Sequence, residues 1–496
     1  MEVRSIFRNI SPLDHRYSLS EQELFEALAP WVSEEAAVAS CVKAEIALMI
    51  AHLTLRGGLT PELHAELEQA GASVTCGEVY AEEASTNHHI RALVRILTSK
   101  VPPKTAALVH LGATSADILD TALSYRMQGL TRELILPRLR NLELLLCNLV
   151  EQEAETPQVG RTHGQHAVPI TLGFALAEYV SRLGKSILAI EGHAQELKGK
   201  LSGAVGAYNA TTLITSDPEA LERLYLAELG LEPSEHATQV VEPEYLLRLL
   251  LEFNVAFGVI ANLADDIRNL QRSEIGELRE RFRSDQVGSS TMPQKRNPWN
   301  AEHVKSLWKA FMPRVLTFFM DQISDHQRDL TNSASQRFIA DYVTGFSLAI
   351  SRMTAIIGGL EADREQLLYH LQGEKTGIPG GIMAEPAYIL LAETGVSDAH
   401  EVIRRITLQA EREQLSFAEA LSREAALFER ICGKLAELGL AASAEEGRSF
   451  FEHPEHYCGL AVRKARVIAA KYRDLMQGKE TLQRPTGAQT RAYPIL

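Results

Sequence analysis

Residues 243–270 read PEYLLRLLLEFNVAFGVIANLADDIRNL. Leu246, Leu249, Phe253, Phe257, Ile260 and Ile267 recur at helical spacing, so this stretch predicts one amphipathic helix, entered through Pro243, over at least about twenty residues. The same signal recurs on both sides. Leu139, Leu142, Leu145, Leu146 and Leu149 form a stripe behind Pro137, and Leu172, Leu176, Val180, Leu183, Ile187 and Ile190 form another. Val304, Leu307, Phe311, Val315 and Phe318 predict a fourth helix, bent at Pro313. Phe338, Tyr342, Phe346, Ala349, Met353, Ile356 and Leu360 predict a fifth. Helices of about 20–30 residues are ~30–45 Å long at 1.5 Å per residue, so five in succession read as an all-α, long-helix bundle. Alternating β-branched runs are scarce, and any sheet is expected to be minor. The stripes are broad, with Leu249-Leu250-Leu251 offering more than one face. Surplus apolar surface of this kind is usually buried by further copies of the chain, and a homo-oligomer is expected.

Shorter helical segments flank the bundle. The expected division is residues 1–113, 114–363 and 364–496, with a loosely ordered tail from Lys479. The chain has 496 residues, 45% hydrophobic and 23% charged, which are ordinary globular values. Its formal charge is −14, and it has no long basic run, so neither nucleic acid nor an anionic membrane is an expected partner. An anionic ligand would need a local arginine cluster. Five scattered cysteines without a CxxC pair fit reduced thiols. Met1-Glu2-Val3-Arg4 lacks the apolar core of a signal peptide and no uninterrupted apolar run reaches about 18 residues, so a soluble, cytoplasmic protein is expected.

No Walker loop and no GxGxxG follows a strand. The pair His453/His456 lacks further ligands at regular spacing and reads as a solvated loop. No cofactor and no metal are expected. What stands out is Gly288-Ser-Ser-Thr-Met-Pro-Gln-Lys-Arg-Asn-Pro298, a Ser/Gly-rich segment ending in a lysine, an asparagine and a helix-starting proline. A mobile loop holding a hydroxyl beside an ammonium suits a lid over a carboxylate.

GSSTMPQKRNP resembles the signature GSSxMPxKxNP of the fumarase/aspartase/argininosuccinate lyase/adenylosuccinate lyase superfamily. Thr114-Ser115-Ala116-Asp117 with Asp120-Thr121-Ala122-Leu123, and Gly160-Arg161-Thr162-His163-Gly164-Gln165, resemble two more of its blocks in the same order. Within the superfamily the likeness is to the adenylosuccinate lyases. It is carried by Ser11-Pro-Leu-Asp-His-Arg-Tyr17, Thr86-Asn-His88, Gly203-Ala-Val-Gly-Ala-Tyr-Asn-Ala210, Gln327-Arg-Asp-Leu-Thr331 and Ala384-Glu-Pro386. It runs from about residue 11 to about residue 460.

The resemblance implies a three-domain, all-α subunit whose long helices form a 20-helix core in a homotetramer. It also implies active sites assembled from three subunits. The implied reaction eliminates fumarate from a succinylated nitrogen: adenylosuccinate to AMP, and SAICAR to AICAR. By the resemblance Ser289 is the base, His163 the acid and Glu302 the carboxylate orienting His163. Lys295 and Asn297 hold the fumaryl carboxylate, and Thr114, Ser115 and Gln239 the other succinyl carboxylate. Thr162 and His88 join the site as well. Arg16, Tyr17, Arg328, Ser333 and Arg337 match the phosphate-binding set. Arg328 and Arg337 are nine apart and would not share a face cleanly on one helix, so Arg328 is expected on the loop before it. Taken singly, each residue has an ordinary reading: Thr114 a helix cap, Glu302 a complement to the helix dipole, each arginine a surface charge.

Two departures stand out. His89 takes the place of an acid that usually follows His88, and His166 that of a common proline. The alternative readings are another lyase, such as 3-carboxymuconate cycloisomerase or argininosuccinate lyase, and an inactive structural relative of the lens-crystallin kind. Retention of Ser289, His163 and Lys295 argues against the last.

Overall fold

The computed structural model describes residues 5–282, 288–329, 331–373 and 378–478. The expected loose tail from Lys479 lies outside them. Helix accounts for 67% of the chain, and three two-stranded sheets are the strands among the described residues. By internal contacts the chain forms two compact units: residues 1–140, 185–261 and 304–352, and residues 141–184, 262–303 and 353–496. All five boundaries fall inside helices.

The stripes are where the periodicity places them. Helices span Leu136–Gln152, Leu172–Gln195, Glu244–Leu270 and Ile339–Ile357. Leu249, Phe253, Phe257, Ile260 and Ile267 are all buried, as are all six residues of the Leu172–Ile190 stripe. Two expectations need correction. Pro313 does not bend a helix but separates two, Trp299–Phe311 and Arg314–Met320, because its ring cannot sit against the preceding turn. The fifth helix is shorter than its stripe: Phe338 stands exposed on a short 3₁₀ turn, Ser335–Phe338, ahead of it, and Leu360 follows its end at Ile357.

In the first unit, Glu34–Leu55 is buried nearly all round and packs with Ser115–Leu130 and Pro218–Ala227. The segments Gln22–Leu55 and Glu244–Leu270 are each long and apolar enough to span a bilayer; 83% and 56% of an apolar 18-residue stretch in each are buried within the fold. Buried Glu45 accepts a bond from the His110 backbone N–H (3.0 Å) and pairs with His110 Nδ1 (2.6 Å). His52 Nε2 bonds the Leu111 carbonyl at 2.9 Å. These contacts pin the turn through His110 and Gly112, both at positive φ, that delivers the chain to Thr114. Burial works to lower the His110 imidazole, but Glu45 outweighs it and holds the group above its ordinary value.

In the second unit, Met383, Leu391, Phe417, Leu421, Ile431, Leu435 and Phe451 form the core of the C-terminal helices. The strands Pro157–Thr162 and Gln165–Thr171 pair antiparallel beside the helix Arg364–Gln372.

Candidate active site

The first unit carries nine of the candidates. Thr114 caps the helix Ser115–Leu130, its N–H donating to Asp117 Oδ2 at 2.8 Å. Asp117 is fully buried and paired with the equally buried Lys200 ammonium, whose Nζ also donates to the Gly203 carbonyl at 3.2 Å. Glu222 accepts from the Leu201 N–H (2.6 Å) and the Tyr208 hydroxyl (2.5 Å). The loop Gly203–Tyr208 is thus tied down at both ends. Gly206, at φ 78°, is required there: a Cβ would stand 1.8 Å from the Ala237 carbonyl oxygen. That close approach sets the glycine loop against the 237–241 turn that carries Gln239.

The Gln239 N–H donates to the Gln327 carbonyl at 3.4 Å, which places Arg328 beside the same turn. Arg328 lies on a loop, as its spacing from Arg337 requires, and its Nε donates to the Asp329 carbonyl at 3.1 Å. Ser333 and Arg337 are exposed, on a turn and on the 3₁₀ segment Ser335–Phe338. Arg16 and Tyr17 open the short helix Arg16–Ser20. His88 follows Asn87, a left-handed C-cap, and caps the helix His89–Lys100: its Nδ1 accepts the Arg91 N–H at 3.2 Å. The proton of a neutral His88 ring therefore sits on Nε2. His89 is engaged by Glu83 at 2.9 Å, so a carboxylate remains beside it despite the lost acid.

The second unit carries the other six. His163 and Gly164, both at positive φ (57° and 74°), form the two-residue turn between paired Thr162 and Gln165. The imidazole stands exposed at a hairpin tip. Behind it, Arg161 makes a two-pronged pair with buried Glu277. Glu277 also accepts from Gln158 Nε2 (2.9 Å) and bonds His370 Nδ1 (2.8 Å). Burial works to raise the Glu277 carboxyl, yet Arg161 and Gln158 overcome it and hold the group below its ordinary value.

Ser289 Oγ accepts the backbone N–H groups of Thr291 (3.3 Å) and Met292 (3.1 Å). Both donors favour an oxyanion at that position. The loop closes on itself: Asn297 Nδ2 donates to the Gly288 carbonyl at 3.1 Å, and a Cβ on Gly288 would meet the Lys295 carbonyl oxygen at 2.1 Å. Lys295 is exposed, and Glu302 lies exposed in the first turn of Trp299–Phe311.

Ser289, Lys295 and Asn297 are thus gathered in one loop of the second unit; in the first unit Gln239 and Arg328 lie on two loops joined to each other by the Gln239–Gln327 bond. Among the described residues no hydrogen bond joins His163 to Ser289 or to Glu302. The anchors Lys200, Glu222, Glu277 and His370 were not read from the sequence. Only the acidic Asp117 and the Arg161 beside Thr162 hinted at them.

Helical architecture, a loop carrying both a hydroxyl and a lysine, and a histidine at a two-residue turn fit a lyase of the fumarase type. The comparisons agree. A family described as lyase matches residues 62–310, and one described as adenylosuccinate lyase C-terminal matches residues 324–442. The adenylosuccinate lyase of Pyrococcus horikoshii is 34% identical over 83% of this chain and 89% of its own length. That of Archaeoglobus fulgidus is 29% identical over 92% and 98%. The structure of 3-carboxy-cis,cis-muconate lactonizing enzyme from Pseudomonas putida superposes with a TM-score of 0.75 at 25% identity, covering 92% of this chain and 97% of that one. The chain belongs to the adenylosuccinate lyase family.

Proposed function

We propose that the protein cleaves adenylosuccinate to AMP and fumarate, and SAICAR to AICAR and fumarate. The observation that carries this reading is that the match to the adenylosuccinate lyase C-terminal region, residues 324–442, spans Arg328, Ser333 and Arg337. A lyase without a phosphate on its substrate has no use for that set, which disfavours the argininosuccinate and carboxymuconate readings.

In the proposed mechanism Ser289 Oγ removes a proton from the carbon beside a succinyl carboxylate. The Thr291 and Met292 amides support its anionic form. The carbanion spreads into the carboxylate, whose second negative charge Lys295 and Asn297 neutralise. His163, oriented by Glu302, gives a proton to the departing nitrogen as the carbon–nitrogen bond breaks. Thr114, Ser115 and Gln239 hold the other carboxylate, while Thr162 and the Nε2–H of His88 line the site. Arg16, Tyr17, Arg328, Ser333 and Arg337 hold the phosphate.

The proposed assembly is a cytoplasmic homotetramer of three-domain subunits (1–113, 114–363, 364–496), with each site drawn from three chains. Exposed apolar side chains support it: Val255, Leu316, Met320 and Ile323 are between 53% and 79% accessible in the single chain.

The direct test is the change in purine absorbance on incubation with adenylosuccinate and with SAICAR, using argininosuccinate and 3-carboxymuconate as controls. Turnover of either control with neither purine substrate cleaved would overturn the reading. Substrate choice has its own test. Arg328→Gln or Arg337→Gln is expected to raise KM for the monophosphate roughly 10–150-fold, the value of one charge-assisted contact. With the dephosphorylated nucleoside the penalty should vanish. Equal losses on both substrates would assign these arginines to folding or to the succinyl end.

A further inference from the structure

Asp120 stands in the second turn of the helix that begins at Ser115, and nothing in the proposed mechanism uses it. Its Oδ2 accepts the backbone N–H of Val241 at 3.0 Å. Val241 closes a β-bridge with Ala237, so residues 237–241, which carry Gln239, form one closed turn hung on that bond. On its other side the turn reaches the Arg328 loop through the Gln239–Gln327 backbone bond. Asp120, Val241, Tyr245, Arg328 and Asp329 line a common cavity of about 220 Å³.

We propose that Asp120 is a positioning residue: its carboxylate holds the Gln239 turn, and through it Arg328, in register with the Thr114–Ser115 helix start. The inference rests on the assignment of those residues to substrate binding. Three groups from separated stretches of chain are held by two hydrogen bonds, one of them accepted by the Asp120 side chain.

The charge of Asp120 serves stability poorly. Burial pushes its carboxyl up to about 6, against the opposing Val241 bond and the Lys200 and Arg328 charges, while Asp117 adds to the rise. Glu242, Asp321, Asp329 and His236 also border the cavity. A carboxyl whose folded value is raised holds its proton better folded than unfolded. Its contribution is therefore largest at low pH and is lost as pH climbs from the ordinary carboxylate range through about 6. A scaffold contact would gain by being neutral. The charge strengthens the bond to Val241 and faces Arg328.

The test compares wild type, Asp120→Asn and Asp120→Ala. Asp120→Ala removes the acceptor and is expected to raise KM for adenylosuccinate about tenfold or more at pH 8, with kcat little changed. Asp120→Asn keeps an oxygen for Val241 but not the charge. Its KM should exceed that of wild type severalfold at pH 8 and approach it at pH 5.5, where most of the wild-type carboxyl is protonated. Taking the ratio cancels titration of the substrate phosphate. The Tm of Asp120→Asn at pH 8 should equal or exceed that of wild type, so that a raised KM in this variant is not a loss of fold. Deuterium exchange supplies a readout free of activity: Asp120→Ala should speed exchange across 237–241 and 325–329 and leave the helix Leu172–Gln195 unchanged. Unchanged exchange in those loops, or a Tm of Asp120→Asn that falls together with its activity, would overturn the proposal. A wild-type protein inert toward adenylosuccinate would instead sink the proposed reaction and leave the exchange result to decide the role of Asp120.

Discussion

Ser289→Ala and His163→Asn are each expected to lower kcat by about 10²–10⁴-fold, the usual cost of losing a proton-transfer group, with little change in Tm. Neither side chain contributes to a core. Among the described residues Ser289 Oγ bonds amides of its own loop, and water can replace it there. His163 is exposed at a hairpin tip. Asparagine is the informative replacement at 163, because its short polar side chain tolerates the φ of 57° that alanine would resist. Steady-state kinetics with a thermal melt on the same samples checks both expectations. Activity within a few-fold of wild type in either variant would remove that residue from the mechanism.

The largest effect on stability is expected at Lys200. Lys200→Met leaves Asp117 buried and uncompensated, and breaking such a pair from one side costs about 3–5 kcal/mol. The damage should reach the site, since Asp117 also takes the Thr114 N–H and Lys200 also holds the Gly203 carbonyl. Adding Asp117→Asn to Lys200→Met should recover part of the loss by removing the orphaned charge. Urea denaturation of the single and double variants measures this. A single variant within about 1 kcal/mol of wild type would mean that water reaches the pair.

The bundle was legible because burial imposes a 3.6-residue period. Leu249, Phe253 and Phe257 could be assigned to one buried face from spacing alone, and each is fully buried. The loop position of Arg328 was legible for a related reason, since nine residues do not return a helix to one face. The hairpin around His163 was not. Its strands are six and seven residues long and its turn is His-Gly, a weaker signal than Asn-Gly or Asp-Gly. The anchors were illegible for another reason. Lys200 meets Asp117 across 83 residues and Arg161 meets Glu277 across 116, and no local pattern records a partner at that distance. The loop 288–298 was readable as a motif because its features are local. Ser289, Lys295 and Asn297 lie within nine residues, and the backbone amides that serve Ser289 come from the same turn.

The central claim is that His163 of one chain works with Ser289 of another to eliminate fumarate. The most direct measurement mixes Ser289→Ala with His163→Asn, each inactive alone, under conditions where subunit exchange is verified by mass spectrometry, and follows adenylosuccinate cleavage. Mixed assemblies contain some sites with neither lesion, so activity well above either variant alone is predicted, with fumarate and AMP formed in equal amounts. Complete exchange without recovered cleavage would contradict a site shared between chains.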